Sequence, residues 1–100
     1  MFGLSSKTTA QIYSVFEKHP AIEKAVLYGS RAKGNFREGS DIDITLFGKN
    51  LSISELGTIF DELDDLLLPY TFDLSLYDNI ENESLKEHIK RVGKIFYEKK

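Results

Sequence analysis

Asp41 and Asp43 are separated by a single residue in the segment LYGSRAKGNFREGSDIDITLF, residues 27–47. In an extended strand that spacing puts both carboxylates on one face, about 6–7 Å apart along the chain. Carboxylates this close repel, and each raises the other's pKa unless a positive charge lies between them. A divalent cation removes the difficulty. A donor set of oxygens without His or Cys favours Mg2+, with Mn2+ as an acceptable substitute. Asp73 stands on the polar face of another strand-like segment, YTFDLSLYD. If that strand lies beside the first, it contributes a third ligand. Three carboxylates can hold two cations about 3.5–4 Å apart, the arrangement that clamps an in-line phosphoryl or nucleotidyl displacement. Taken alone, Asp-x-Asp equally describes two solvated aspartates on an edge strand. A calcium loop is excluded, because Thr45 and Leu46 stand where that loop needs Asp or Asn followed by Gly.

Gly29 and Ser30 close the apolar run KAVLY. A strand ending in glycine lets the backbone come close to a ligand, and the serine offers an amide and a hydroxyl. If a helical turn starts at Ser30, its amides face an anion. Arg31, Lys33 and Arg37 add positive charge nearby. The same residues would also serve an ordinary strand-to-helix turn. The P-loop pattern fails, since Asn35-Phe36 follow Gly34 where Lys-Ser/Thr is required.

The elements that must position these residues follow from periodicity. Residues 7–19 read as a helix carrying Ile12, Val15, Phe16 and His19, with Thr8 and Gln11 as a capping box. Pro20 ends it. KAVLYG reads as a buried strand, and 30–40 as a loop containing about one helical turn. DIDITLF alternates, with Asp41, Asp43 and Thr45 on one face and Ile42, Ile44 and Leu46 on the other. The next helix starts with a Ser52–Glu55 capping box, and Pro69 stops it. Ile53, Leu56, Phe60, Leu63 and Leu67 form its apolar stripe. In the third strand Phe72, Leu74 and Leu76 oppose Asp73, Ser75 and Tyr77. A last helix turns Leu85, Ile89 and Val92 inward, Gly93 breaks it, and KIFYE is a final strand. Phe16, Phe60, Phe72 and Phe96 are expected in the core, and His88 beside it. His19 is expected near helix-end carbonyls. One of Leu66, Leu67 and Leu68 is left for a partner, because three consecutive side chains cannot share a face. The order predicts an α/β (α+β) fold in two layers: a mixed sheet of about four strands with helices packed on it.

Composition sets the frame. One hundred residues, 41% hydrophobic and 29% charged, suit one globular domain spanning 1–100. The absence of cysteine excludes disulfides and thiolate metal sites. There is no secretory pattern at the N-terminus and no apolar run approaching the ~20 residues of a membrane span, so a cytoplasmic protein without a membrane partner is expected. The net charge of −3 is unevenly spread: +3 over residues 1–40, −9 over 41–82 and +3 over 83–100. With a pI of about 5.3, extended RNA contact is not expected.

The combination GSRAKG…GSDIDI with a later, isolated strand aspartate resembles the nucleotidyltransferase superfamily that includes DNA polymerase β. More narrowly, the chain is similar over nearly its whole length to the minimal nucleotidyltransferase (MNT) domains of bacteria and archaea. The resemblance implies that Gly29 and Ser30 bind phosphate and that Asp41 and Asp43 are shared by two Mg2+ ions. Asp73 would be the third ligand, helping to activate the attacking hydroxyl. Ser40 precedes the first aspartate as the family has it, and Arg31 would be a further phosphate contact. The nucleotide site would then comprise Gly29, Ser30, Arg31 and Ser40. The expected substrate is ATP, whose AMP is moved to an acceptor hydroxyl. So small a chain leaves little for acceptor binding, which suggests a partner. MNT proteins commonly act as antitoxins to HEPN-domain ribonuclease toxins, some by transferring AMP to a toxin tyrosine. Two alternatives stay open: an antitoxin that neutralises by contact alone, and transfer to RNA or a small molecule such as an aminoglycoside. A homo- or hetero-oligomeric interface is compatible with all of them.

Overall fold

The computed structural model describes residues 2–35, 37 and 41–100. Helix α1 (Ser6–Glu17) precedes strand β1 (Lys24–Tyr28), the single-turn helix α2 (Ser30–Lys33) and β2 (Ile42–Phe47). Then come α3 (Ile53–Asp64), β3 (Phe72–Leu76), a 3-10 turn (Tyr77–Asn79), α4 (Glu83–Val92) and β4 (Lys94–Glu98). The four strands form one mixed sheet in the order β3-β2-β1-β4. β1 is antiparallel to both neighbours, whereas β2 and β3 run parallel. Parallel strands need a crossover, and α3 supplies it.

Alternation along the strands sorts the sheet into two faces. Ala25, Leu27, Ile42, Ile44, Leu46 and Phe72 point to the face covered by α1 and α3, where they meet Ile12, Val15, Phe16, Ile59 and Leu63. Full burial of each large side chain there contributes about 1.5–3 kcal/mol. The other face is only partly covered. There α4 lays Ile89 on Val26 and Tyr28, with Leu85 and Val92 alongside.

Two details differ from the expectations above. The N-cap of α1 is Ser5, whose hydroxyl accepts from the Thr8 amide, rather than Thr8 itself. In α3 the Ser52 cap forms as expected, but the helix is rotated. Ile53, Phe60 and Leu67 are 62%, 42% and 88% exposed, while Leu56, Ile59, Leu63 and Leu66 face the core. The rotated helix meets His19. Its Nδ1 lies 2.9 Å from Glu55 Oε2 and its Nε2 lies 3.0 Å from Glu62 Oε1. Both glutamates are held against the end of α1, on the side of α3 opposite the Ile53–Phe60 line. Burial, the largest single influence, pulls the His19 pKa down. Hydrogen bonds from Glu62 and Glu55, with their charges, overcome it and leave the imidazole above its ordinary 6.5. Among the described residues no helix is long and apolar enough to cross a membrane.

Candidate active site

The chemistry-bearing residues lie at the end of the sheet where β1 ends and β2 and β3 begin. Tyr28 is paired across the antiparallel ladder with Asp43, and Asp43 across the parallel ladder with Asp73. Partners in register share a face and stand about 4.8 Å apart in backbone spacing. Tyr28, Asp43 and Asp73 therefore form one row on the partly covered face. Asp41 precedes β2 by one residue and is exposed, as is Asp73, while Asp43 is half-buried.

Electrostatics report the same crowding. The Asp43 carboxyl is raised above 3.8, first by burial, then by the charge of Asp73, then by that of Asp41. The neighbouring Tyr28 phenol is also raised, mainly by burial and next by Asp73, against a hydrogen bond with Ser75 that lowers it. Behind this row is a second one, Val26–Thr45–Ser75. There Ser75 Oγ donates to Thr45 Oγ1 at 3.0 Å. The fully buried Thr45 is thereby satisfied. Tyr28, Thr45 and Ser75 were not among the sequence candidates. The signal for two of them is the alternation Asp-x-Thr and Asp-x-Ser, which places a short hydroxyl behind each strand aspartate.

Gly29 closes the row from the side. Its backbone is in a region that L-residues rarely adopt (φ 81°, ψ −157°). A Cβ built there would lie 2.3 Å from Asp43 Oδ2. The chain thus turns close against the carboxylate, in a backbone conformation that favours glycine. Ser30 follows as the first residue of α2, which closes with Lys33 and Gly34 amides bonded to the Gly29 and Ser30 carbonyls at 3.2 and 3.0 Å.

Arg31, next in the chain, makes its described contacts with the N-terminal segment and Tyr70. It is 2% exposed. Its Nη1 donates to the Phe2 carbonyl at 3.0 Å, and its guanidinium carbon lies 4.8 Å from the centre of the Tyr70 ring. An arginine buried in this way ties the N-terminal segment to the β3 approach. Ser40 lies outside the described residues. His88 packs edge-on against Tyr28, with ring centres 6.4 Å apart, as its position beside the apolar stripe suggests.

The donors available to a cation are carboxylate oxygens, a set suited to Mg2+ or Mn2+. Among the described residues no three acidic or imidazole side chains are gathered closely enough to grip one ion. The three aspartates share a pole of the sheet without meeting at a point. Asp41 and Asp73 are exposed, so their side chains can rotate, and the mutual repulsion recorded at Asp43 is what a cation would relieve.

Solved structures of similar fold include a toxin–antitoxin complex with AMP-PNP. Its TM-score is 0.73 at 20% identity, covering 92% of this chain and 74% of the other. A second is the MntA-HepT toxin–antitoxin, with a TM-score of 0.69 at 18% identity over 95% of this chain and 74% of that one. A third is a tri-AMPylated HEPN toxin of Shewanella oneidensis in complex with MNT antitoxin, with a TM-score of 0.69 at 17% identity, covering 96% and 74%. At these identities the likeness is one of fold. No curated protein sequence matches the chain. Residues 10–100 match the family described as polymerase beta, nucleotidyltransferase. The mixed four-stranded sheet, with its aspartates at the end where β1 meets β2, is thus that family's fold, and the chain belongs to the polymerase beta nucleotidyltransferase family.

Proposed function

We propose that this nucleotidyltransferase-family chain takes ATP and transfers AMP to an acceptor hydroxyl, and that the acceptor is a tyrosine of a partner HEPN toxin. The reading treats residues 1–100 as one domain working in the cytoplasm, where ATP and magnesium are abundant. The observation that carries it is the row Tyr28–Asp43–Asp73 with Gly29 pressed against Asp43. A buried structural site would neutralise its acids with a cation from the fold. Here the influences on Asp43 are burial and two like charges. The fold neighbour holding an AMPylated HEPN toxin with its MNT antitoxin supports the choice of acceptor.

In this reading Asp41, Asp43 and Asp73 hold two magnesium ions. The chemistry such ions supply when bound is neutralisation of the triphosphate and acidification of the acceptor hydroxyl. The residues of the chain do the positioning. Gly29 lets the triphosphate approach the backbone, and Ser30 offers it an amide and a hydroxyl. Asp43, held by its neighbours on both strands, would fix the ions, and through them the reacting phosphate, against the sheet. Asp73, exposed on the edge strand β3, faces the side from which an acceptor can enter and receives the hydroxyl proton. A bond forms between the acceptor oxygen and the α-phosphorus. The bond from that phosphorus to the bridging oxygen of the β-phosphate breaks, and pyrophosphate leaves.

The test is transfer of label from α-labelled ATP to purified HEPN partner in the presence of Mg2+. Label should appear on the toxin with the native chain and disappear with Asp43→Asn. Undiminished labelling by the variant, or toxin neutralisation that needs no ATP, would refute the assignment.

A further inference from the structure

One line of α3 faces solvent with the wrong chemistry for solvent. Ile53 and Phe60 lie seven residues apart, 62% and 42% exposed. That separation is two helical turns, so they form a straight ridge about 10 Å long. Leu67 extends it just past the helix end, 88% exposed and held at φ 55°. A left-handed backbone costs a leucine about 1–2 kcal/mol, and nothing within the fold is gained from its side chain. Between Ile53 and Phe60 lies Gly57. A Cβ there would meet nothing within 4 Å, so no internal contact demands glycine at a position where alanine would favour the helix.

We propose that this ridge is the docking site for an amphipathic helix of a partner protein, one that carries an apolar seam beside arginine or lysine. The bare backbone at Gly57 lets a second helix axis come close, and Ile53 and Phe60 provide the flanking contacts. Charge selects the occupant. Asp64 falls on the ridge line and Asp61 beside it, and residues 50–85 contain no Lys or Arg. At the Phe60 end is a dimple of about 90 Å3 between Phe60, Asp64, Tyr70 and Phe72. Its Tyr70 wall already carries the Arg31 guanidinium, so what the dimple offers a basic side chain is the Asp64 carboxylate. A second copy docking α3 against α3 would set these acids against each other, so the occupant is a different, basic surface. The inference does not depend on the transferase reading, because the dock needs neither metal nor nucleotide.

The test uses the free chain and two synthetic helical peptides with the same leucine seam, one flanked by arginine and one by glutamate. The arginine peptide should shift amide resonances at Ile53, Gly57, Phe60 and Asp64. The glutamate peptide should bind at least tenfold more weakly. Phe60→Ser should weaken the arginine peptide at least tenfold. Gly57→Gln, which fills open space without touching the core, should do the same with the fold intact by circular dichroism. No shift on α3, equal binding of both peptides, or undiminished binding by Gly57→Gln would overturn the proposal. Self-association of the free chain that Phe60→Ser abolishes would also overturn it, by making a second copy the occupant.

Discussion

At the end of α1, His19 reaches across to Glu55 and Glu62, and both carboxylates are answered by one imidazole at 2.9 and 3.0 Å. At the start of β2, Asp43 faces Asp73 and Asp41, and among the described residues no cation offsets their effect on its pKa. The two regions begin with the same problem, acidic side chains drawn together by the fold. The clasp solves it internally, so its charges stabilise the packing of α1 on α3. The pole of the sheet leaves it unsolved, so its charges oppose the fold until something else arrives. Acids that the fold has neutralised are structural. Acids that it has gathered and left crowded are where a cationic ligand is expected.

The largest effect that would break this contrast is expected at Asp43. Asp43→Asn should reduce nucleotide transfer more than about a hundredfold, since even outer-sphere partners of a metal site cost tenfold to a hundredfold. The same change should raise the melting temperature at pH 7 without Mg2+. A carboxyl whose folded-state pKa lies above 3.8 stabilises the fold only while protonated. That contribution is complete below 3.8 and is lost as pH rises through the folded-state value. The charged aspartate is therefore unfavourable at neutral pH, and a melting temperature that falls would contradict the account. Gly29→Ala comes next. The methyl must displace the Asp43 carboxylate in a left-handed backbone, so about 2 kcal/mol of stability should be lost, along with most transfer. Urea unfolding and the labelling assay measure the two losses.

The clasp should behave in the opposite way. His19→Ala should cost about 1.5 kcal/mol at pH 5.5, as expected for hydrogen bonds to charged groups, and leave transfer unchanged. The imidazole pKa is raised, so its contribution is complete below 6.5 and fades as pH climbs through the folded-state value. The gap between native and variant in urea unfolding should shrink by pH 8.5. Transfer lost with His19→Ala would merge two regions that the account keeps apart. The smallest effect is expected away from both. Gly57→Ala should stabilise the chain by about 1 kcal/mol, because the added methyl meets open space.

Much of this arrangement was legible in the sequence. Period-two alternation put Asp43 and Thr45 opposite Ile42 and Ile44, and Asp73 opposite Phe72 and Leu74, and the faces are as expected. Strand order was the missing link. The parallel pairing of β3 beside β2, in the order β3-β2-β1-β4, brings Asp73 into register with Asp43. The rotation of α3 was not legible, because two stripes, 53-56-60-63-67 and 56-59-63-66, share Leu56 and Leu63. The buried stripe is the one that also sets Glu55 and Glu62 against His19, more than thirty residues away in sequence. Arg31 illustrates the same point. Its type and place beside Gly29-Ser30 suit phosphate, whereas its contacts with Phe2 and Tyr70, distant in the chain, come only from the fold.

The most direct measurement is the line-broadening of backbone amide resonances by Mn2+ added with a non-hydrolysable ATP analogue. The account predicts broadening centred on Gly29, Asp41, Asp43 and Asp73, absent in Asp43→Asn, with Glu55 and Glu62 untouched. Broadening centred on the His19 clasp, or none at the pole of the sheet, would contradict it.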